Sequence, residues 1–262
     1  MIVYAVVAIA SVVVAGLTFF SGFGLGTLLM PLFAVFFPVQ VAVAATAVVH
    51  LANNLFKAVI VGRHADRSIV LLFGIPAAVA AFGGAWLLGR LSVMPPLATY
   101  VLAGSVFAVS PVKLAIGVLM IVFALFELFP VLDRFSLSRT WVPMGGVLSG
   151  FFGGLSGHQG ALRTIFLARV GLTKESFVGT IAVVATLVDI VRIIVYGVAF
   201  YSRHFMVVGG SGWTLVGIAC VAAWVGSFMG SRFLGKITMR GVRIIVGTLL
   251  LILGFGLGSG LI

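Results

Sequence analysis

The chain has 262 residues, of which 62% are hydrophobic and 8% are charged. Since a soluble domain carries about 25% charged residues, so few charges could not cover a water-facing surface, and a soluble globular domain is excluded. The net charge of +11 would suggest nucleic acid in a soluble protein, but here Lys and Arg fall mostly between apolar runs. That placement is typical of the cytoplasmic loops of membrane proteins, so we expect the partner to be the lipid bilayer and no nucleic acid.

Ten apolar runs, separated by turn residues and charges, predict an all-α polytopic membrane protein with about ten transmembrane segments. A further apolar stretch from Leu97 to Val109 follows Pro95-Pro96 and is too short for a span, which suggests a re-entrant or interfacial piece. In chain order the ten runs cover 2–20, 22–37, 39–62, 68–91, 112–130, 141–155, 157–171, 174–200, 210–236 and 241–261.

The runs fall into two halves that resemble each other, residues 1–130 with an insertion at 92–111, and residues 131–262. Matching residues recur at separations of 130 to 146 positions. Repeats of this kind are a common construction of membrane transporters. The matching pairs are Ser21 with Ser156, Gly22 with Gly157, Thr46 with Thr180, Lys57 with Arg192, Gly84 with Gly230, and Gly117 with Gly247.

Five segments in each half is an odd number, so the halves are expected to be inverted relative to each other. If all ten runs cross, eleven Lys and Arg residues lie on one side and three on the other. The positive-inside rule then predicts that both termini lie outside, in a multi-pass protein of the cell (inner) membrane. If runs 22–37 and 157–171 instead enter and leave on the same side, the bias disappears.

The second run of each half is short and is opened by glycines. Glycine weakens a helix and lets a ligand approach the backbone, and a broken helix presents N–H groups and a positive dipole end to an anion. Short, glycine-interrupted segments at matching positions therefore predict a substrate site; close helix packing is the alternative. The candidate binding residues in these runs are Gly24, Gly26, His158, Gln159 and Gly160.

Arg163 lies inside the second of these runs. A cation in hydrocarbon is costly unless it faces a cavity or a partner, and its planar fork suits the oxygens of a carboxylate, sulfite or sulfonate. Arg163 is therefore a candidate ligand for the anion. Pairing with Asp189, or reaching to the membrane surface, is an equally good interpretation.

The third run carries a polar stripe of Thr46, His50, Asn53, Asn54 and Lys57 on one helical face. Five polar residues on one face of an apolar span should face the protein interior or a water-filled path. We expect the first four to contact substrate. Lys57 is a candidate for coupling or ion pairing, or a charge that anchors the helix near its loop.

The eighth run carries Thr180, a further candidate ligand, and the pair Asp189 and Arg192. The pair is three residues apart, so the two side chains can meet on one helical face. A structural lock is the favoured interpretation of the pair. Asp189 or His50 could instead carry a coupling proton.

The Gly-broken run in both halves, and Gly179-Thr180 with Ala45-Thr46, resemble the TauE/SafE group of sulfite and organosulfur-anion exporters, the TSUP permeases. The resemblance runs from about Val14 to Gly256, apart from the insertion. It implies a secondary transporter of small sulfur-containing or carboxylate anions, driven by an ion gradient.

The sequence departs from the family pattern at two places that bear on which substrate is bound. The glycine triplet expected in each break is replaced by Gly24-Leu25-Gly26 and by His158-Gln159-Gly160, and Arg163 stands where an apolar or small residue is expected.

The predicted function is secondary transport, as an exporter of small anions such as sulfite, sulfonates or carboxylates, by alternating access with a proton or another cation as coupling ion. The sequence shows no nucleophile with a base, P-loop, metal-ligand spacing or nucleotide fingerprint, so neither an enzyme nor a cofactor or metal is expected. A passive anion channel, and a membrane enzyme or assembly partner without transport, are the alternatives.

Overall fold

The structure is a computed structural model that describes residues 2–17, 19, 25–129, 139–168, 170–200, 209–233 and 239–262. Each of the ten predicted apolar runs carries one α-helix, and one β hairpin stands between the fourth and fifth helices. The elements are α1 (Ile2–Leu17), α2 (Leu25–Ala34), α3 (Val39–Val61), α4 (Arg67–Ser92), β1 (Ala98–Leu102), β2 (Ser105–Val109), α5 (Pro111–Leu128), α6 (Val142–Ser156), α7 (Gly160–Leu167), α8 (Lys174–Phe200), α9 (Gly209–Phe233) and α10 (Met239–Gly258).

Local chemistry sets several helix ends. The carboxylate of Asp66 accepts a hydrogen bond of 2.9 Å from the backbone N–H of Ile69 and caps the start of α4. Ser110 caps α5, and Pro111 follows it at the first helical position, where its missing N–H costs nothing. Gly157 ends α6 with φ +82°, a conformation that suits glycine and interrupts the helix before α7 begins.

The segment interpreted as re-entrant or interfacial is a β hairpin, so the helical prediction does not extend to residues 98–109. Its strands pair antiparallel and are joined at Ala103 and Gly104, both with positive φ. The hairpin is fastened to the end of α10, since the Tyr100 hydroxyl donates a hydrogen bond of 2.8 Å to the carbonyl of Ser259.

Five helices are long and apolar enough to cross a membrane, within the part of the chain that the structure describes. On α4, one stripe of large apolar side chains points outward: Ile75, Val79, Phe82 and Trp86. The short helices α2 and α7 have 10 and 8 residues, which span roughly 15 and 12 Å, about half of a bilayer core of about 30 Å. The protein is a membrane protein; ten crossings by inverted halves stay a prediction.

Several helix–helix contacts recur at corresponding positions when the two halves are compared. α4 packs on α6, as α9 packs on α1, and α4 packs on α8, as α9 packs on α3. α5 packs on α10 and α3 packs on α8, and each of these contacts joins helices at corresponding positions of the two halves. The contact of α2 with α3 departs from this pattern, because it is more extensive than that of α7 with α8.

Glycines set the closest of these helix contacts. A Cβ added at Gly84 of α4 would lie 2.0 Å from the carbonyl oxygen of Phe151 on α6. A Cβ added at Gly230 of α9 would lie 2.6 Å from the carbonyl oxygen of Gly16 on α1. Neither helix pair could approach so closely with a larger residue at these positions.

Replacing Gly84 by alanine is therefore expected to push α4 away from α6 and to destabilise the fold by about 1–3 kcal/mol. The matched control is Gly83→Ala, because a Cβ at Gly83 meets nothing within 4 Å and alanine favours a helix by up to about 1 kcal/mol. Thermal unfolding of the purified protein in detergent measures both. Equal stability of the two variants would contradict the close-contact role of Gly84.

Candidate functional site

A buried carboxylate, Asp189 of α8, lies at the centre of the bundle with no exposed surface. Its Oδ1 accepts hydrogen bonds from Nε of Arg192 at 2.9 Å and from Nε2 of Gln159 at 3.1 Å. Its Oδ2 accepts from Nδ2 of Asn54 at 3.1 Å and lies 2.7 Å from Nδ1 of His50. Donors from α3, from α8 and from the break between α6 and α7 therefore converge on one carboxylate.

The orientation of His50 follows from its distance to Asp189. Two acceptors would not approach to 2.7 Å, so Nδ1 carries the hydrogen and donates it to the carboxylate. In the neutral ring Nε2 then has a free lone pair, and in the protonated ring it is a second donor. The network thus ends at a nitrogen that can either accept or donate a proton.

Arg192 joins this network to the end of α6. Its NH1 donates a hydrogen bond of 3.1 Å to the carbonyl of Gly153. One turn further along α8, the Tyr196 hydroxyl donates to the carbonyl of Gly154. These contacts satisfy carbonyls in the last turn of α6, where a cation also interacts favourably with the helix dipole.

The start of α2, which follows the first predicted break, lies beside His50 and the second break. Gly26 is the second residue of α2, and a Cβ there would lie 3.2 Å from the carbonyl oxygen of Gly157 and 3.8 Å from Nε2 of His50. Gly160 is the first residue of α7, on the other side of the second break. The start of α2, the end of α6 and the imidazole of His50 thus lie close together, and a side chain at position 26 would be tight against the carbonyl of Gly157.

Two buried polar atoms in the second break have no hydrogen-bond partner among the described residues: Nε2 of His158 and Oε1 of Gln159. Nδ1 of His158 donates to the carbonyl of Ser156 at 3.1 Å, and its ring stacks on Phe123 with centroids 5.6 Å apart. The backbone carbonyl of Gln159 accepts a hydrogen bond of 2.8 Å from the hydroxyl of Ser149. Unsatisfied polar atoms are rare in a folded interior and mark a place for a further polar group.

Positive charge exceeds negative charge around Asp189. Lys57 and Arg163 are 6% and 1% exposed and interact electrostatically with each other, and Arg163 also interacts with Asp189 and Arg192. Over the described part of the chain, the centre therefore holds three cationic side chains and one carboxylate. Burial of charge in a low dielectric favours a compensating anion.

The polar stripe of α3 is buried throughout, which confirms that it faces the interior. It divides between two neighbours: Asn54 turns to α8, whereas Asn53 accepts a hydrogen bond of 2.6 Å from Ser227 of α9. Lys57 is buried as well, which does not favour a charge that reaches the membrane surface, and its role stays a prediction.

Two threonines predicted as ligands bond elsewhere. The Thr46 hydroxyl donates to the carbonyl of Ala42 in its own helix, at 2.7 Å. Oγ1 of Thr180 accepts from the backbone N–H of Asp66 at 2.9 Å and supports the start of α4, nine residues along α8 from Asp189. Gly24 lies outside the described residues.

Three polar residues of the centre were missed by the sequence analysis: Ser149, Tyr196 and Ser227. Tyr196 follows Asp189 by seven positions and Arg192 by four, a spacing that places all three on one helical face and could have identified it. Ser149 and Ser227 each stand beside a glycine in a tightly packed helix. At such a position the sequence does not distinguish a serine that hydrogen-bonds from one that only keeps the side chain small.

Comparison with known families gives one match over nearly the whole chain: the family model for the sulfite exporter TauE/SafE matches residues 6–257. No curated protein and no solved structure matches the chain.

Loss of the Asp189 charge alone is expected to destabilise the protein by about 3–5 kcal/mol, because it leaves Arg192 buried without its carboxylate. The Asp189→Asn variant should therefore unfold at a lower temperature than the double variant Asp189→Asn/Arg192→Gln, which removes both charges. Thermal unfolding of the two variants and wild type in detergent tests this. A double variant that is less stable than Asp189→Asn would show that the pair is not a coupled unit.

Proposed function

The chain belongs to the sulfite exporter TauE/SafE family, and from that premise we propose that it exports a small anion, such as sulfite or an organosulfonate, by alternating access. One observation carries the proposal. The start of α2, which follows the first break, lies beside His50 and the second break, in a buried centre with more positive than negative charge. The distribution of Lys and Arg supports a location in the inner membrane with both termini outside.

The anion is held at the second break. The first N–H groups of α7, which begins at Gly160, have no partner within their own helix and can donate to an oxyanion. The guanidinium of Arg163, one turn into α7, supplies a planar fork for two oxygens. Nε2 of His158 and Nε2 of His50 are further contacts, and each donates when its ring is protonated.

Matching positions of the two proposed inverted halves meet inside the bundle. Gly117 approaches Gly258 across the α5–α10 contact, and at the matching positions, 130 residues away in each case, Gly247 approaches Leu128. Asn54 and Asp189 are themselves matching positions, 135 apart, and they hydrogen-bond to each other. Such a contact lies on the axis that relates the halves, which is where transporters built from repeats bind substrate.

The His50–Asp189 pair supplies a coupling proton. Histidine changes charge near physiological pH, and Nε2 of His50 lies at the break while Nδ1 donates to the carboxylate. A proton bound at Nε2 changes the charge at the position of the anion by one unit, so the binding of the proton and the binding of the anion are thermodynamically coupled.

Flux into liposomes that contain only this protein tests the function, with sulfite, sulfoacetate, taurine and simple carboxylates compared. We expect sulfite or a sulfonate to move, and Arg163→Ala to weaken its apparent affinity by about 10- to 100-fold, the order of one or two charged hydrogen bonds. Arg90→Ala is the matched control, because Arg90 is exposed and lies over the ring of Trp86 on the outer surface. If none of these anions moves, or if Arg163→Ala and Arg90→Ala act alike, the site is wrong.

The same liposomes distinguish a coupled transporter from a channel. An imposed proton gradient should concentrate the anion against its own gradient in wild type, but His50→Gln should only dissipate the anion gradient. Dissipation without accumulation in wild type would indicate a passive channel.

A further inference from the structure

The two halves carry the same short polar motif on their third helices, with one difference. Asp189 and Arg192 of α8 match Asn54 and Lys57 of α3, each 135 positions apart. In α8 the carboxylate of Asp189 lies 2.7 Å from NH2 of Arg192 and neutralises it. In α3 an uncharged amide stands where the carboxylate would be, so the motif leaves the charge of Lys57 uncompensated.

The two cations also occupy matching places. Arg192 donates to Gly153, in the last turn of α6 before the second break. Lys57 reaches the corresponding end of α1, with its Nζ 5.1 Å from the ring centroid of Phe19, directly before the first break. Phe19 itself matches Gly154, again 135 positions apart. Each half therefore brings one cation to the end of its first helix.

The missing carboxylate matters for Lys57 because its side chain is buried. Lys57 is 6% exposed, and no ion pair joins it to a carboxylate among the residues that the structure describes. An aromatic ring offsets part of the cost of burying an ammonium group, and a lysine in an apolar interior keeps its proton only where a counter-charge is present. A bound substrate at the breaks can supply it.

We propose that Lys57 binds the second negative charge of the substrate, so that the site prefers a divalent oxyanion to a monovalent one. This rests on the proposed function, in which Arg163 and the start of α7 hold the first charge. Lys57 and Arg163 are both buried, and the charge of Arg163 acts on Lys57, so a small dianion at the breaks would be attracted by both cations. The substrate class is thereby narrowed to doubly charged oxyanions, such as the sulfite or sulfoacetate dianion.

The test compares anions of different charge and similar size in the liposome flux assay: sulfoacetate with two negative charges, isethionate with one, and zwitterionic taurine. Wild type should prefer sulfoacetate. Lys57→Gln should weaken the apparent affinity for sulfoacetate by about 30-fold, as for loss of one charged hydrogen bond, and that for isethionate by less than about threefold. Lys57→Arg keeps the charge and should retain the preference.

The matched control is Lys113→Gln, the same substitution at a half-buried lysine near the start of α5. It should leave both affinities unchanged, and thermal unfolding checks that each variant is folded. If Lys57→Gln weakens sulfoacetate and isethionate equally, or leaves both unchanged, Lys57 does not select charge and the inference is wrong. If wild type moves no anion at all, the proposed function itself fails, which is a separate result.

Discussion

The architecture of the centre depends on one carboxylate. Asp189 is buried in an apolar bundle, where a charge is tolerated only if donors surround it, and four side chains from three parts of the chain supply those donors. Because the same carboxylate binds α3, α8 and the break between α6 and α7, the position of the break is determined by an electrostatic requirement. The substrate site that we propose is built on that position.

Glycines serve two distinct purposes around this centre. Gly84 and Gly230 lie within long helices and bring backbones together, so the added Cβ would collide with a carbonyl of the neighbouring helix. Gly157 instead ends a helix in a left-handed conformation, and Gly26 leaves room beside His50 for the opposite break. The first group packs helices of one half closely against helices of the other, and the second leaves room for a polar site at the breaks. A transporter needs both, because rigid bodies must move around a site that exposes backbone groups to a ligand.

The helices could be predicted from the sequence because in a membrane protein apolar length decides helix formation almost alone. The hairpin at 98–109 could not, since a short apolar stretch does not distinguish a strand from a buried helix by its pattern. The inward direction of the polar stripe on α3 was also predictable, because burial of its five residues is a property of one helix.

The partners of that stripe could not be predicted, because they depend on which helices pack on either side. Asn53 and Asn54 are adjacent in sequence and point about 100° apart, so one bonds Ser227 of α9 and the other Asp189 of α8. Thr180 shows the same limit: its helix was predicted correctly, but its hydroxyl accepts from Asp66 at the start of α4.

The central claim is that the anion binds beside His50, between the start of α2 and the second glycine break, and selenite, the selenium analogue of sulfite, tests it most directly. An anomalous-difference map of protein crystals grown with selenite locates the selenium independently of any activity. We expect a peak within hydrogen-bonding distance of the backbone at Gly160 and beside the imidazole of His50. A peak found only at an outer arginine such as Arg90, with none between the breaks, would contradict it.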